Sequence, residues 1–243
     1  MRWFKKPLVL KFYTTNKGVF ESAKPKPAGN FLPDWWKKLP KETREVKNFE
    51  LLQLNMHANM RGCVGMKLMY QHGIVIPLWC DLYFEIGKIG ETEFQFAAAD
   101  RDTNVELHPP TQHNAYWDNS LYQHIKIISP WRVVCDEVVP FLFIDPYWHR
   151  NTQNRYSVPP GIVEYKYQYV TNVNMFFNRS TESYSLLLKH GEPLVQLIPL
   201  VDRLIKTETH LVSQEEFNRI SNYKPSFSNA YKYNRIAIEK ENK

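Results

Sequence analysis

Gly161-Ile-Val-Glu-Tyr-Lys-Tyr167, followed by Asn178-Arg179 and Gly191-Glu-Pro-Leu-Val-Gln-Leu-Ile198, is the stretch of sequence that decides the fold class. Apolar residues occupy alternate positions along one face from Val163 to Phe177. Such a period of two predicts strands that bury one face, and Gly or Asn at each boundary is typical of turns. We therefore predict a long strand, a turn and two further strands that complete a meander.

Strand patterns also fill the preceding part of the chain. Ile74–Ile86 alternates apolar and polar residues, and 91–98 repeats the pattern after a turn containing Gly87 and Gly90, which predicts a hairpin over 74–98. The 14 Tyr, 14 Phe and 7 Trp residues, set against 9 Gly, favour strands over helices. We predict an all-β fold, barrel-like or a sandwich of short antiparallel strands, with few short helices.

Three short helices are expected beside the strands. Pro33 begins a helical turn, 61–72 reads as a helix that Gly73 ends in a left-handed conformation, and Ser213 with Glu216 forms a capping box. We predict a single β-rich domain over 1–222 and a polar tail over 223–243.

Composition limits the class of protein. The formal net charge of +6 comes from dispersed lysines, which are typical of a solvated surface and do not favour a nucleic-acid partner. Cys63, Cys80 and Cys135 are an odd number at wide spacing, which indicates reduced thiols rather than a disulfide framework. The sequence lacks a secretory signal pattern and any apolar run of about 20 residues. We expect an intracellular protein, neither secreted nor membrane-bound.

The segment from Ser129 to Val201 resembles the core of the dUTPase and dCTP deaminase superfamily, whose fold is called a β-clip. That family has a Gly-aliphatic-aliphatic-Asp-x-Asp-Tyr hairpin, a strand ending in Asn, and a Gly-Asp/Glu-Arg-aliphatic-Ala-Gln-aliphatic strand. The resemblance implies a β-clip-like core over about 123–201. The whole chain, including Trp35-Trp-Lys-Lys38 and Ile76-Pro-Leu-Trp-Cys-Asp81, is similar to an uncharacterised group of phage-encoded proteins.

The superfamily resemblance implies positions for a nucleotide site. Glu164 would be the base that activates water, and Tyr167 would stack under the deoxyribose. Gln196 would lie on the strand that faces the phosphates, Asn178 would end the preceding strand, and Arg150 is the basic residue where the family has an Arg-Ser-Gly segment.

This chain departs from the superfamily at the residues that handle phosphates. Lys166 replaces the second hairpin Asp, Pro193 replaces the Arg of the third strand, and residues 221–243 contain no glycine for a closing arm. Triphosphate hydrolysis needs preorganised donors and usually a metal. These departures favour a scaffold without an intact catalytic site.

A metal site is a third possibility. Two His and one carboxylate hold iron in 2-oxoglutarate-type oxygenases, and His113, Asp118 and His124 cluster in the sequence. His113 and Asp118 are five residues apart in a predicted loop, which fits the usual His-x-Asp spacing poorly.

The sequence therefore predicts a non-catalytic, phage-type β-clip-like protein that acts by binding. It would be a structural or assembly component of a virion, or a binding module of the host cytoplasm, with protein partners. The resemblance to the β-clip family, whose members often form trimers, implies a homo-oligomer. No cofactor is expected. The alternative is a divergent nucleotide pyrophosphohydrolase with Glu164 as base, which would bind nucleotide and Mg²⁺.

Overall fold

The structure is a computed structural model that describes residues 6–39, 60–91, 94–113, 118, 120–149, 155–220 and 230–241. Most of its regular structure is β. The strands are β1 Leu8–Thr14, β2 Lys26–Pro27, β3 Ile74–Pro77, β4 Leu82–Ile86, β5 Phe94–Ala98, β6 Asn104–Leu107, β7 Tyr122–Val134, β8 Pro140–Ile144, β9 Tyr156–Ser157, β10 Gly161–Glu164, β11 Val170–Asn178, β12 Tyr184–Leu188, β13 Pro193–Pro199 and β14 Ile205–Leu211.

The described helices are short. The α-helices are α1 Lys17–Ser22, α2 Asp34–Lys38, α3 Val64–His72, α4 Gln214–Ile220 and α5 Ala230–Glu241. Four 3-10 helices cover Ala28–Phe31, Met60–Gly62, Pro110–His113 and Tyr147–His149. The prediction of an all-β fold with few short helices is confirmed.

The strands form three sheets. The six-stranded sheet has the order β14-β1-β7-β11-β9, with β6 also paired to β7; the five-stranded sheet has the order β10-β8-β13-β3-β2; the three-stranded sheet has the order β12-β4-β5. The β1–β14 pair is parallel and the other pairs are antiparallel. Within the described ranges no sheet closes into a barrel, so the arrangement is that of a sandwich.

The inner faces of the three sheets share one hydrophobic core. Strand β1 alternates buried and half-buried residues, with Leu8, Leu10 and Phe12 inward. Phe12 meets Trp131 of β7 edge to face, with 6.3 Å between ring centroids. Burial of each such side chain contributes roughly 1.5–3 kcal/mol to the free energy of folding. The apolar residues that alternate in the sequence are therefore the ones that hold the sheets together.

The predicted hairpin over 74–98 is correct only in its second half. β4 and β5 pair as a hairpin, but β3 belongs to the five-stranded sheet. The chain leaves the strand after Pro77, where Leu78 exchanges backbone hydrogen bonds of 2.8 Å with Gly191 and Glu192. Gly191 has a φ of +81°, a conformation that suits glycine. This contact turns the chain from one sheet into the next.

The predicted long strand from Val163 to Phe177 is interrupted. A turn at 165–169 separates β10 from β11, with the carbonyl of Glu164 accepting hydrogen bonds from the amides of Tyr167 and Gln168 at 3.0 and 3.1 Å. The expected meander is also wrong, because β11, β12 and β13 lie in three different sheets. The alternation of apolar and polar residues determines which face of a strand is buried, but it does not determine which strands pair with it.

The helix predictions fare better. α3 ends at Gly73 as expected, although Gly73 has a φ of −87° rather than a left-handed one. The amide of Glu216 donates to the Ser213 hydroxyl at 3.2 Å, which confirms the cap that begins α4. Part of the predicted polar tail forms α5, which the sequence did not suggest.

Candidate functional site

A cleft of about 400 Å³ lies where the chain passes from β10 in one sheet to β11 in another. Strand β10 ends the five-stranded sheet, whereas β11 pairs with β7 in the six-stranded sheet. The two strands diverge between these sheets and leave a gap. We call this gap the β10–β11 cleft; its lining is His124, Phe143, Pro159, Pro160, Gly161, Ile162, Val163, Tyr165, Gln168, Val170, Thr171, Asn172, Asn174 and Phe176.

The turn that connects β10 to β11 is held by hydrogen bonds on both sides. Tyr165 is fully buried, and its hydroxyl lies 3.0 Å from that of Thr171 across the turn. The Cys135 amide donates to the Tyr165 carbonyl at 3.1 Å, which ties the turn to the end of β7. Burial raises the pKa of the Tyr165 phenol, although the hydrogen bond to Thr171 opposes the rise. The phenol therefore stays protonated at neutral pH and can hold the turn in place.

One wall of the β10–β11 cleft carries amide side chains. Asn172 and Asn174 lie on the same face of β11, since residues two apart in a strand point the same way. The Asn174 Oδ1 accepts a hydrogen bond from His124 Nε2 at 3.2 Å, and the Gln168 amide donates to the Val170 carbonyl at 3.3 Å. Among the residues that the structure describes, nothing hydrogen-bonds the amide of Asn172. That half-buried amide can serve a ligand.

Aromatic and aliphatic groups form the rest of the lining. The ring of His124 lies nearly parallel to that of Phe176, with 4.3 Å between centroids and 14° between planes. Phe143 and Val163 add apolar surface. Ile162, at the mouth, is 66% exposed. An apolar pocket with a few convergent polar groups is the usual form of a small-molecule site.

The described lining contains no Asp, Glu, Lys or Arg. A charged ligand that lost its hydration here would find no opposite charge, and an uncompensated buried charge is costly. Carboxamides both donate and accept hydrogen bonds. The chemistry of the β10–β11 cleft thus suits an uncharged molecule that carries both donors and acceptors.

The two residues that the resemblance assigns to catalysis lie beside this cleft but outside its lining. Glu164 ends β10 and is half-buried. Tyr167 is only 3% exposed, and the guanidinium of Arg235 on α5 lies over its ring, 5.7 Å from the centroid. A ring covered in this way is not open to a sugar in this conformation.

Gln196 and Asn178, which the resemblance assigns to ligand binding, are also absent from the cleft lining. Gln196 on β13 is 2% exposed and donates to the Met69 carbonyl at 3.0 Å, so it joins β13 to α3. Asn178 ends β11 as expected, with its amide bonded to the Arg155 carbonyl at 2.8 Å. Arg150 lies outside the described residues.

The proposed metal ligands are on different elements. His113 ends a 3-10 helix and its side chain is outside the described set; Asp118 accepts from the backbone amide and the hydroxyl of Ser120. These hydrogen bonds lower the pKa of the Asp118 carboxyl. His124 packs on β11. Within the described part of the chain no group of three His, Cys, Asp or Glu residues could hold a metal ion; the set that includes His113 stays a prediction.

The sequence held one usable signal for the cleft that the prediction did not use. Gln168, Asn172 and Asn174 all fall on the polar face of the alternating pattern. Amide side chains offer both hydrogen-bond donors and acceptors to a ligand. The position of His124 opposite Phe176 could be found only from the strand register.

No protein-family model matches this sequence, and a search of curated proteins also found no match. In the parts of the chain that the structure describes, every helix is too short or too polar to cross a membrane.

Proposed function

We propose that the protein is a non-catalytic binding module whose β10–β11 cleft takes a small uncharged molecule with both hydrogen-bond donors and acceptors, such as a nucleoside or a sugar. One observation carries the proposal: the cleft combines an aromatic wall with a row of amides and has no charged side chain in its described lining. The half-buried amide of Asn172 is the group we expect to contact the ligand first.

The test is a binding titration that is monitored by NMR or by calorimetry. Uncharged nucleosides and sugars are compared with their monophosphates, which differ by the charged group alone. Asn172→Leu should weaken binding of an uncharged ligand about five- to tenfold, the value of one lost hydrogen bond. Asn104→Leu makes the same change on the exposed β6 and should leave the affinity unchanged. Equal affinities in both variants, or no binding of any uncharged probe, contradict the proposal.

The competing function is the divergent nucleotide pyrophosphohydrolase. The observation that favours it is the position of the cleft along Gly161–Asn178, which is part of the segment that resembles the superfamily. Tighter binding of triphosphates than of nucleosides, with pyrophosphate release in Mg²⁺ that Glu164→Gln abolishes, would establish this function instead.

The resemblance of the sequence to phage-encoded proteins is the basis for a proposal about where the protein acts. We propose a role in a virion, in virion assembly or in the host cytoplasm, with protein partners. Mass spectrometry of purified particles checks the first role. Recovery of the chain in infected-cell lysate but not in particles would leave the cytoplasmic role.

A further inference from the structure

Strand β5 forms one edge of the three-stranded sheet. Among the described residues β4 is its only strand neighbour. The strand reads Phe94-Gln-Phe-Ala-Ala98, without charge and without proline. Natural edge strands usually carry Lys or Pro, or are covered, because an open apolar edge pairs with other strands. The composition of β5 is that of a strand with a neighbour.

The central ring of β5 is incompletely covered on the core side of its sheet. Phe96 lies directly opposite Phe84 in the β4–β5 pair, so both rings face the same side. Phe84 is fully buried, whereas Phe96 is 45% exposed. Phe94 stacks on Phe96 with 6.0 Å between centroids. A further strand beside β5 would cover the open side of this ring.

We propose that the neighbour is a second copy of this chain, with two β5 strands antiparallel and Phe96 at the two-fold axis. This register sets Phe94 of each copy opposite Ala98 of the other, a large residue against a small one. It also joins Phe84 and Phe96 of both copies in one cross-strand row. The two three-stranded sheets become one sheet of six strands.

The composition of β5 favours a second copy over an unrelated strand. Because β5 carries no charged side chain, pairing with its own copy sets no like charges opposite each other. An unrelated strand needs only an apolar edge, whereas this edge is complementary to itself in the sizes of its side chains.

Disulfide trapping tests the contact and its register. All variants carry Cys63→Ser, which removes the exposed native thiol. Residues directly opposite in an antiparallel pair have Cβ atoms about 4.5–5.5 Å apart, close to the spacing of a disulfide. Phe96→Cys should therefore give a covalent dimer under mild oxidation, seen as a doubled mass on a non-reducing gel. Ala98→Cys is the matched control, because its two thiols would be about 13 Å apart along the strand.

A second pair of variants leaves the core side of the sheet intact. Gln95 and Ala97 are exposed on the outer face and fall opposite each other in the proposed register. Mixing Gln95→Cys protein with Ala97→Cys protein should give the covalent dimer, at a yield several times that of either protein alone. Equal trapping at residues 96 and 98, or no trapping in either experiment, overturns the proposal and would assign the edge to a different strand or leave it open.

Discussion

The side-chain nitrogen of Gln196 lies where a methyl group on Gly73 would have to go. A Cβ built on Gly73 would be 2.5 Å from Gln196 Nε2 and 2.7 Å from the Met69 carbonyl oxygen. The same Nε2 donates to that carbonyl at 3.0 Å. Gly73 is therefore required for space rather than for a left-handed backbone, and the contact joins the end of α3 to β13.

Gly73→Ala should lower the free energy of unfolding by about 1–3 kcal/mol, the usual cost of forcing extra volume into a packed site. The Met69 carbonyl belongs to the last turn of α3 and cannot withdraw without breaking it. Chemical denaturation of both proteins measures the difference. Gly65→Ala, in the same helix with open space around its Cβ, is the control; it should be neutral or stabilise by up to about 1 kcal/mol. Equal effects at the two glycines would contradict the steric explanation.

Tyr165→Phe should destabilise the protein by about 1–2 kcal/mol, because it removes the phenol hydroxyl that hydrogen-bonds the buried Thr171 hydroxyl. Thr171→Val should cost a similar amount. In the double variant both polar groups are gone, so the loss should be smaller than the sum by about 0.5–1.5 kcal/mol. Additive losses in this denaturation cycle would mean that the two hydroxyls contribute independently.

The same Tyr165 substitution should act on the β10–β11 cleft. The pair holds the turn that carries Gln168 into the lining, so its loss should broaden the NMR signals of Gln168 and Asn172. The signal of Asn104 on β6 serves as an internal control. Unchanged signals at Gln168 and Asn172 would show that β10 and β11 hold the turn without this hydrogen bond.

The sequence predicts which face of a strand is buried better than it predicts which strands pair with each other. Leu82, Phe84 and Ile86 are buried and Tyr83 and Glu85 are exposed, as the period of two requires. Besides β5, the strand β4 pairs with β12, which lies about a hundred residues further along the chain, and nothing in the alternation of either strand specifies this pairing. Such pairings depend on where the chain leaves each strand. Individual contacts, such as the hydrogen bonds of Leu78 with Gly191 and Glu192, determine that point.

The sequence does not specify the second wall of the β10–β11 cleft, for a related reason. The period of two in β11 puts Asn172 and Asn174 on its polar face, but a polar face becomes a cleft only if a second wall lies over it. That wall is β10, which belongs to another sheet. The resemblance assigned roles to Glu164 and Tyr167, which lie between β10 and β11 but outside the cleft lining, and the Tyr167 ring lies under the Arg235 guanidinium.

Acid should destabilise the protein partly through His149. Burial, together with the nearby Lys37 cation, lowers the pKa of His149 to about 4, and Asp34 opposes the shift only weakly. An unfolded His has a pKa near 6.5. Above about pH 6.5 both states are neutral and the stability is complete. Between about pH 6.5 and 4 the unfolded chain binds a proton that the folded chain does not, so stability falls.

The measurement is the denaturation midpoint of the wild type and His149→Gln at pH 7 and pH 4.5. The wild type should lose about 1–2 kcal/mol more than the variant over this range, a value reduced from the full shift because the ring is part exposed. Carboxylate titration affects both proteins alike and cancels. Gln can still hydrogen-bond the Tyr70 hydroxyl, which lies 3.1 Å from His149 Nε2. If the two proteins lose stability in parallel, His149 titrates in the folded state much as it does in the unfolded chain.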